Sequence, residues 1–153
     1  MLEIKGASQD EMNVIKEFLT KNALNIDCIE NYIGNCMVAY DKDILVGVAG
    51  YIREKDMAII KFAVVSKNRR KEYLGDGIVK ALLNLADRNG IRRVFVNGDE
   101  ETLFFRKIGF KEVSLQEART YCKDIDMPQW FIKNKTLQVV LPDYFLKACK
   151  SNK

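Results

Sequence analysis

The sequence predicts an α/β fold around a mixed sheet, and three observations predict it. Short apolar segments joined by turn-type residues fill the first half, as an antiparallel meander does. From Met57 to Val96 the order is strand, helix, strand, which requires a parallel crossover, right-handed by rule. A further helix and strand follow, and a meander leading into β-α-β-α-β is an α/β arrangement. The 153 residues suffice for one full core and are too few for two. Residues 1–153 are therefore read as a single domain.

Each element has its own signal. Leu2 to Lys5 alternates and reads as a strand. Ser8-Gln9-Asp10-Glu11 is a capping box, in which the Ser8 hydroxyl accepts from the Glu11 N–H and Glu11 reaches back to Ser8. Met12, Ile15, Phe18 and Leu19 then form the buried stripe of a helix to about Thr20. A second short helix is expected from Ile26 to Ile33, stopped by Gly34. Cys36 to Tyr40 and Ile44 to Ile52 read as strands joined by the turn Asp41-Lys42-Asp43. Gly47 and Gly50 inside the second of these predict a bulge or a close approach. Arg53 to Asp56 turns into a strand over Met57 to Val65.

The next stretch organises the chain. A basic loop, Lys67-Asn68-Arg69-Arg70-Lys71, runs into Gly75 and Gly77, and a helical pattern begins at once with Ile78, Leu82, Leu85 and Ala86 on one face. A helix start has unpaired N–H groups and a partial positive charge, so it suits an anion. Glycines there let a phosphate approach the backbone without a Cβ in the way. The helix ends near Asn89, before Gly90; Val94 to Val96 is a buried strand. Glu101 to Lys107 is a helix ended by Gly109, Phe110 to Leu115 a strand, and Thr136 to Leu141 the last strand. An aromatic tail, Pro142 to Cys149, follows it, and Gln116 to Lys135 carries no assignable motif.

Composition excludes several functions. There is no histidine, hence no Ser-His or Cys-His pair and no histidine-ligated metal; no metal site is expected. Cys28, Cys36, Cys122 and Cys149 are scattered and read as reduced thiols of a cytoplasmic protein. No apolar run spans a bilayer and the start is no signal peptide, so no membrane partner is expected. The net charge of +4 is mild, and one short basic run without interleaved aromatics argues against nucleic acid.

The order of letters in Tyr73-Leu74-Gly75-Asp76-Gly77-Ile78-Val79-Lys80-Ala81-Leu82-Leu83 resembles the acyl-CoA loop of the GNAT superfamily of N-acetyltransferases. Tyr73 matches its aromatic, Gly75 and Gly77 its first two glycines, and Leu82-Leu83 its leucine pair. Leu74 stands where Gln or Arg is usual and Val79 where Gly or Ala is usual. A Val79 side chain could crowd a phosphate. Phe104-Phe105-Arg106-Lys107-Ile108-Gly109-Phe110 resembles the family's Leu/Phe-Tyr-x-x-x-Gly-Phe ending. The matched segments cover about half the chain, Ile44 to Phe110.

The resemblance implies a GNAT-like mixed, largely antiparallel central sheet with flanking helices. It also implies transfer of an acetyl group from acetyl-CoA, as cosubstrate, to an amine of a small molecule or peptide. The main chain of Leu74, Gly75, Asp76, Gly77, Ile78 and Val79 would bind the pyrophosphate. The edge of Ala63, Val64 and Val65 would pair with pantetheine as an added strand would. Lys71, with Lys67, Arg69 and Arg70, would attract the adenosine 3′-phosphate. Asn97 would hydrogen-bond the pantetheine arm or a fixed water. The early helices, with Tyr32, would wall the acceptor groove, and pairing through the last strands leaves a homodimer open.

The family's usual acid is the tyrosine at position 105, and this chain has Phe105. A thiolate of pKa near ~8.5 leaves moderately well without a proton; Tyr121, Tyr144, Cys122 or water could substitute. A substrate ammonium of pKa near ~10 needs a base, and the candidates are Asp99, Glu54, Asp56 and Glu72. The alternative reading is a non-catalytic acyl-CoA-binding or sensing protein, which Phe105 motivates. A nucleotide-binding module is opposed by the missing third glycine and the missing P-loop Lys-Ser/Thr. An interaction module using Trp130, Tyr144 and Phe145 would need an exposed apolar patch.

Overall fold

The structure is a computed structural model describing residues 2–24, 29–69, 73–97, 102–121 and 135–146. Its strands are β1 (Leu2–Gly6), β2 (Cys36–Asp41), β3 (Ile44–Glu54), β4 (Met57–Val65), β5 (Arg93–Asn97), β6 (Lys111–Val113) and β7 (Thr136–Val140). Its helices are α1 (Met12–Lys21), α2 (Leu74–Arg88), α3 (Thr102–Ile108) and α4 (Leu115–Tyr121). The strands hydrogen-bond in the order β1-β2-β3-β4-β5-β7-β6. β4 and β5 run parallel, while β1–β2, β2–β3, β5–β7 and β6–β7 run antiparallel, so the sheet is mixed and largely antiparallel. The chain forms two compact units, Met1–Ile52 with Lys61–Leu85 and Arg53–Ile60 with Ala86–Lys153. No described helix is long and apolar enough to cross a membrane.

In the first unit the capping box holds the start of the helical segment. Glu11 Oε1 accepts from the Ser8 N–H at 2.9 Å, and a 3-10 turn (Gln9–Glu11) leads into α1. Ile15, Phe18 and Leu19 of α1 bury against a core that includes Val38, Leu45, Val48, Phe62 and Val64. The β2–β3 hairpin closes through Lys42 and Asp43, both at positive φ, as two-residue hairpin turns favour. The two β3 glycines answer to different causes. Ala39 pairs with Gly47 and Tyr40 with Leu45, so Val46 is the extra residue of a bulge. At Gly50 a Cβ would stand 2.7 Å from Cys36 Sγ and 3.0 Å from the Phe62 ring, a close approach only glycine permits.

In the second unit, Met57–Ile59 of β4 pair with Arg93–Phe95 of β5, and β5 and β6 both pair antiparallel with β7. Gly109 ends α3 at φ +129°, with the Tyr144 ring 2.8 Å from where a Cβ would be. The Tyr144 hydroxyl donates to Ile108 O at 2.8 Å, clamping the helix end.

The structure differs from the sequence reading in three places. The expected helix at Ile26–Ile33 is a 3-10 segment (Ile29–Asn35), non-helical at Tyr32 and running past Gly34; residues 26–28 lie outside the described residues. The expected strand from Phe110 to Leu115 is shortened to Lys111–Val113, because Ser114 caps α4: its Oγ accepts from the Glu117 N–H at 3.1 Å. Ser114-x-x-Glu117 repeats the capping signature of Ser8-x-x-Glu11, so the signal was present in the sequence. Finally, α2 begins at Leu74 rather than after the glycines.

Candidate functional site

The early start of α2 places Gly75 and Gly77 inside its first turn. Tyr73 precedes the helix at φ +60°, and its carbonyl accepts from the Gly77 N–H at 3.0 Å, the first bond of the helix. The N–H groups ahead of that bond have no acceptor within the helix, so those of Leu74, Gly75 and Asp76 suit an anion. Tyr73 itself is 86% exposed. The helix is held by its apolar face: Leu74, Ile78, Val79, Leu82, Leu83 and Ala86 are all buried, while Leu85, expected on that face, is half-buried.

This burial answers the question raised by Val79. Its side chain is fully buried, as is nearly all of Leu74, so neither departure from the family pattern puts bulk on the solvent side of the helix start. Among the described residues, a Cβ added at Gly77 would meet only Ile4 Cδ1, at 3.5 Å. The first turn also carries Asp76, paired with Lys80 at 3.1 Å. Asp76 suits the helix dipole and opposes an incoming anion, and Lys80 offsets that charge.

The same unit holds the expected pantetheine edge. Ala63 is half-buried, and Val64 and Val65 are buried at the end of β4, beyond the Met57–Ile59 ladder with β5. The connection from β4 to α2 leaves the sheet at Ser66, whose N–H donates to Val46 O at 2.9 Å. It then makes a 3-10 turn (Lys67–Arg69), closed by Arg69 N–H to Ser66 O at 2.9 Å. The Arg69 guanidinium bonds the Asp41 carboxylate at the end of β2. Sequence reasoning placed Arg69 among the phosphate-attracting cations; the structure pairs it with a carboxylate 28 residues away, for which no local signal exists. Lys67 is exposed, and Arg70, Lys71 and Glu72 lie outside the described residues.

The remaining expected residues are in the second unit. Glu54 is exposed at the end of β3, one residue before the left-handed Lys55 of the β3–β4 turn. All nine residues of β4 separate that turn from Ser66, about 30 Å of strand. Asp56 shares the turn, and its carbonyl accepts from the Arg92 N–H at 2.6 Å. Asn97 ends β5, and its Nδ2 donates to Lys135 O and Thr136 Oγ1, each at 3.1 Å, tying β5 to the start of β7. Phe105 is 6% exposed and packs edge-to-face on Phe104 and Phe110, with ring centroids at 5.1 and 5.3 Å. Tyr121, 41% exposed, ends α4 with its ring 3.8 Å from the Arg93 guanidinium, a cation–π contact. Asp99, Cys122, Trp130 and Phe131 lie outside the described residues.

The fold has solved counterparts. The chain is similar to N-acetylglutamate synthase from Neisseria gonorrhoeae complexed with coenzyme A and N-acetyl-glutamate, at 19% identity and TM-score 0.70. That alignment covers 92% of this chain and 35% of the synthase, so the chain spans about a third of the synthase's length. It is also similar to a Mycobacterium tuberculosis protein in complex with CoA and NLQ, at 22% identity and TM-score 0.70, covering 91% and 99% of the two chains. A GNAT-family acetyltransferase from Staphylococcus aureus aligns at 19% identity and TM-score 0.67, over 92% and 99%. At these identities the likeness is one of fold. No curated protein matches the sequence. The sequence profile of the acetyltransferase (GNAT) domain matches residues 4–129, most of the chain, including both glycines of α2 and the Phe104–Phe110 ending. On that match, the chain belongs to the GNAT family of acetyltransferases.

Proposed function

We propose that this protein, as a single acetyltransferase domain, transfers an acetyl group from acetyl-CoA to an amine of a small molecule or peptide in the cytoplasm. One observation carries the reading: Gly75 and Gly77 occupy the first turn of a fifteen-residue helix whose bulky neighbours Leu74 and Val79 are buried away from that turn. The main-chain donors at the start of the Leu74–Val79 stretch, those of Leu74, Gly75 and Asp76 ahead of the Gly77 bond to Tyr73 O, then bind the pyrophosphate. Ala63, Val64 and Val65 pair with pantetheine, Lys71 adds positive charge, and Asn97 and Phe105 border the arm. Relatives solved with coenzyme A support a coenzyme A thioester as donor.

The amine attacks the thioester carbonyl directly, forming the C–N bond as the C–S bond breaks, with coenzyme A as the leaving thiolate. Asp99 takes the ammonium proton, directly or through a water; Glu54, exposed in the β3–β4 turn at the far end of β4 from Ser66, does not serve. With Phe105 at the usual acid position, the thiolate leaves unprotonated or takes its proton from Tyr121. Phe105 favours one second reading, a non-catalytic acyl-CoA-binding protein. Calorimetric titration with acetyl-CoA, coenzyme A, ATP and NAD tests the binding, and thiol release with an amine panel tests the transfer. Binding of acetyl-CoA and coenzyme A but not of ATP or NAD is the expected result. Acetyl-CoA binding without thiol release would favour the second reading, and no binding of either coenzyme A species would overturn both.

A further inference from the structure

β1 lies at the edge of the sheet, with β2 as its neighbour among the described residues. The pairing with β2 decides which main-chain groups of β1 face outward. The Ala7 N–H donates at 2.9 Å to the carbonyl of Cys36, the residue opposite it when the β1–β2 register is continued. In an antiparallel ladder such hydrogen-bonded pairs alternate along the strand, so Lys5 and Glu3 also turn their N–H and C=O groups to β2. Leu2, Ile4 and Gly6 turn theirs the other way, to the outer edge of this five-residue strand. Among the described residues, a Cβ added at Gly6 would meet nothing within 4 Å. An edge of this kind is a template for another strand.

The side chains of β1 select which strand fits. Glu3 and Lys5 stand on one face of the sheet, with Ile4 between them on the other. A second β1 laid antiparallel, Ile4 opposite Ile4, puts Glu3 of each copy opposite Lys5 of the other. The main chain agrees with this register. The outward-facing residues meet one another, Ile4 with Ile4 and Leu2 with Gly6, and about six hydrogen bonds form. Glu3 and Lys5 then fall at the non-hydrogen-bonded positions, where opposing side chains come closest. Within the chain Lys5 Nζ already lies 3.5 Å from Glu3 Oε1 and 5.3 Å from the centre of the Tyr40 ring, and its charge acts on Glu11. The Lys5 and Glu3 side chains are still 51% and 65% exposed, which leaves each able to take a second partner.

We infer that β1 is a dimerisation edge: two copies of this chain join their sheets antiparallel through Leu2–Gly6, with the two-fold axis at Ile4 and reciprocal Glu3–Lys5 pairs fixing the register. The inference is independent of the acyl-CoA reading, and it places the seam at the first strand rather than at the last ones. Ile4 Cδ1 lies 3.5 Å from where a Gly77 Cβ would stand, so the seam borders the glycine start of α2. One five-residue strand makes a small interface, and the expected Kd is about 10–100 μM.

Sedimentation velocity over a concentration series compares wild type, Glu3→Lys, Lys5→Glu and an equimolar mixture of the two variants. Each variant alone sets like charges opposite each other at two symmetric places, and it should dimerise at least about tenfold more weakly than wild type. In the mixture the two chains complement each other at both places, so a heterodimer of near wild-type affinity should form. Amide exchange of wild type, read by NMR, needs no variant. As concentration rises, exchange at Ile4 and Gly6 should slow, while Glu3 and Lys5, already bonded to β2, change less. A wild type that stays monomeric up to about 1 mM would overturn the inference. So would a dimer that both variants form as well as wild type does, folded variants whose mixture fails to recover, or exchange at Ile4 and Gly6 that ignores concentration. Lys5→Glu brings a second carboxylate towards Glu11; should that variant not fold, the exchange result decides.

Discussion

The Tyr40 hydroxyl donates to the Glu11 carboxylate, joining β2 to the turn that starts the first helix across 29 residues of chain. The same carboxylate accepts from the Ser8 N–H. Burial pushes the Glu11 carboxyl up, but the hydrogen bonds from Tyr40 and Ser8 outweigh it and hold it below the ordinary carboxylate range. Tyr40 is pushed the other way, to about 12, by burial and then by its bond to Glu11.

Tyr40→Phe should therefore cost about 1 kcal/mol of stability near neutral pH, and the cost should depend on pH at both ends. Glu11 has a lowered folded-state value, so its contribution is present above its unfolded value and is lost as pH falls through the folded one. Tyr40 has a raised value, so its contribution is present below the ordinary tyrosine range and is lost as pH rises towards about 12. Urea unfolding of both proteins from acid to alkaline pH checks this. A difference that stayed constant across the range would refute the coupling.

Gly50→Ala should destabilise the fold by about 1–3 kcal/mol, because the new methyl would overlap Cys36 Sγ and the Phe62 ring inside a packed core. Cys36 is the cross-strand partner of Gly50. Adding Cys36→Ala should recover part of the loss, giving a favourable coupling in a double-mutant cycle. Additive losses would mean that the main chain, not the thiol, resists the methyl.

Gly77→Ala separates folding from function. The methyl would make an ordinary contact with Ile4 at 3.5 Å, and alanine is better than glycine inside a helix by up to about 1 kcal/mol. Stability should hold or rise. Acetyl-CoA affinity should fall by about tenfold or more, since the methyl stands where a phosphate would approach the main chain. Wild-type affinity in this variant would show that no phosphate comes close to Gly77.

Phe105→Tyr restores the hydroxyl at the family's usual acid position. The ring is buried between Phe104 and Phe110, so a hydroxyl left without a partner there should cost about 1–3 kcal/mol of stability. At pH 8 a departing thiolate needs little protonation, so kcat should change by less than about tenfold. A hundredfold rise would mean that the missing proton donor limits the reaction.

Much of the architecture was legible in the sequence because it is set by local rules. Alternation marked β1 and the meander, the Ser8–Glu11 box marked the first helix, and Gly90 and Gly109 marked helix ends. The glycines of α2 and the Phe104–Phe110 ending were legible as letters. Their place was less so: the helix begins at Leu74, since burial of Leu74 and Ile78 holds the first turn despite two residues that disfavour helix. α4 went unread although Ser114 and Glu117 announce it.

By itself, then, the sequence determined most of the element order, the parallel crossover from β4 to β5, the family and the glycine spacing of the stretch from Tyr73 to Val79. Each follows from spacing over a few residues or from a contiguous motif. Tertiary structure alone decided that β7 inserts between β5 and β6, that Val79 turns into the core, that Phe105 joins an aromatic cluster, and that Arg69 is held by Asp41. Those outcomes depend on which distant segments share a core or a strand edge. The free energy of burial and charge pairing that selects them belongs to contacts between residues far apart in the chain, which no local pattern records.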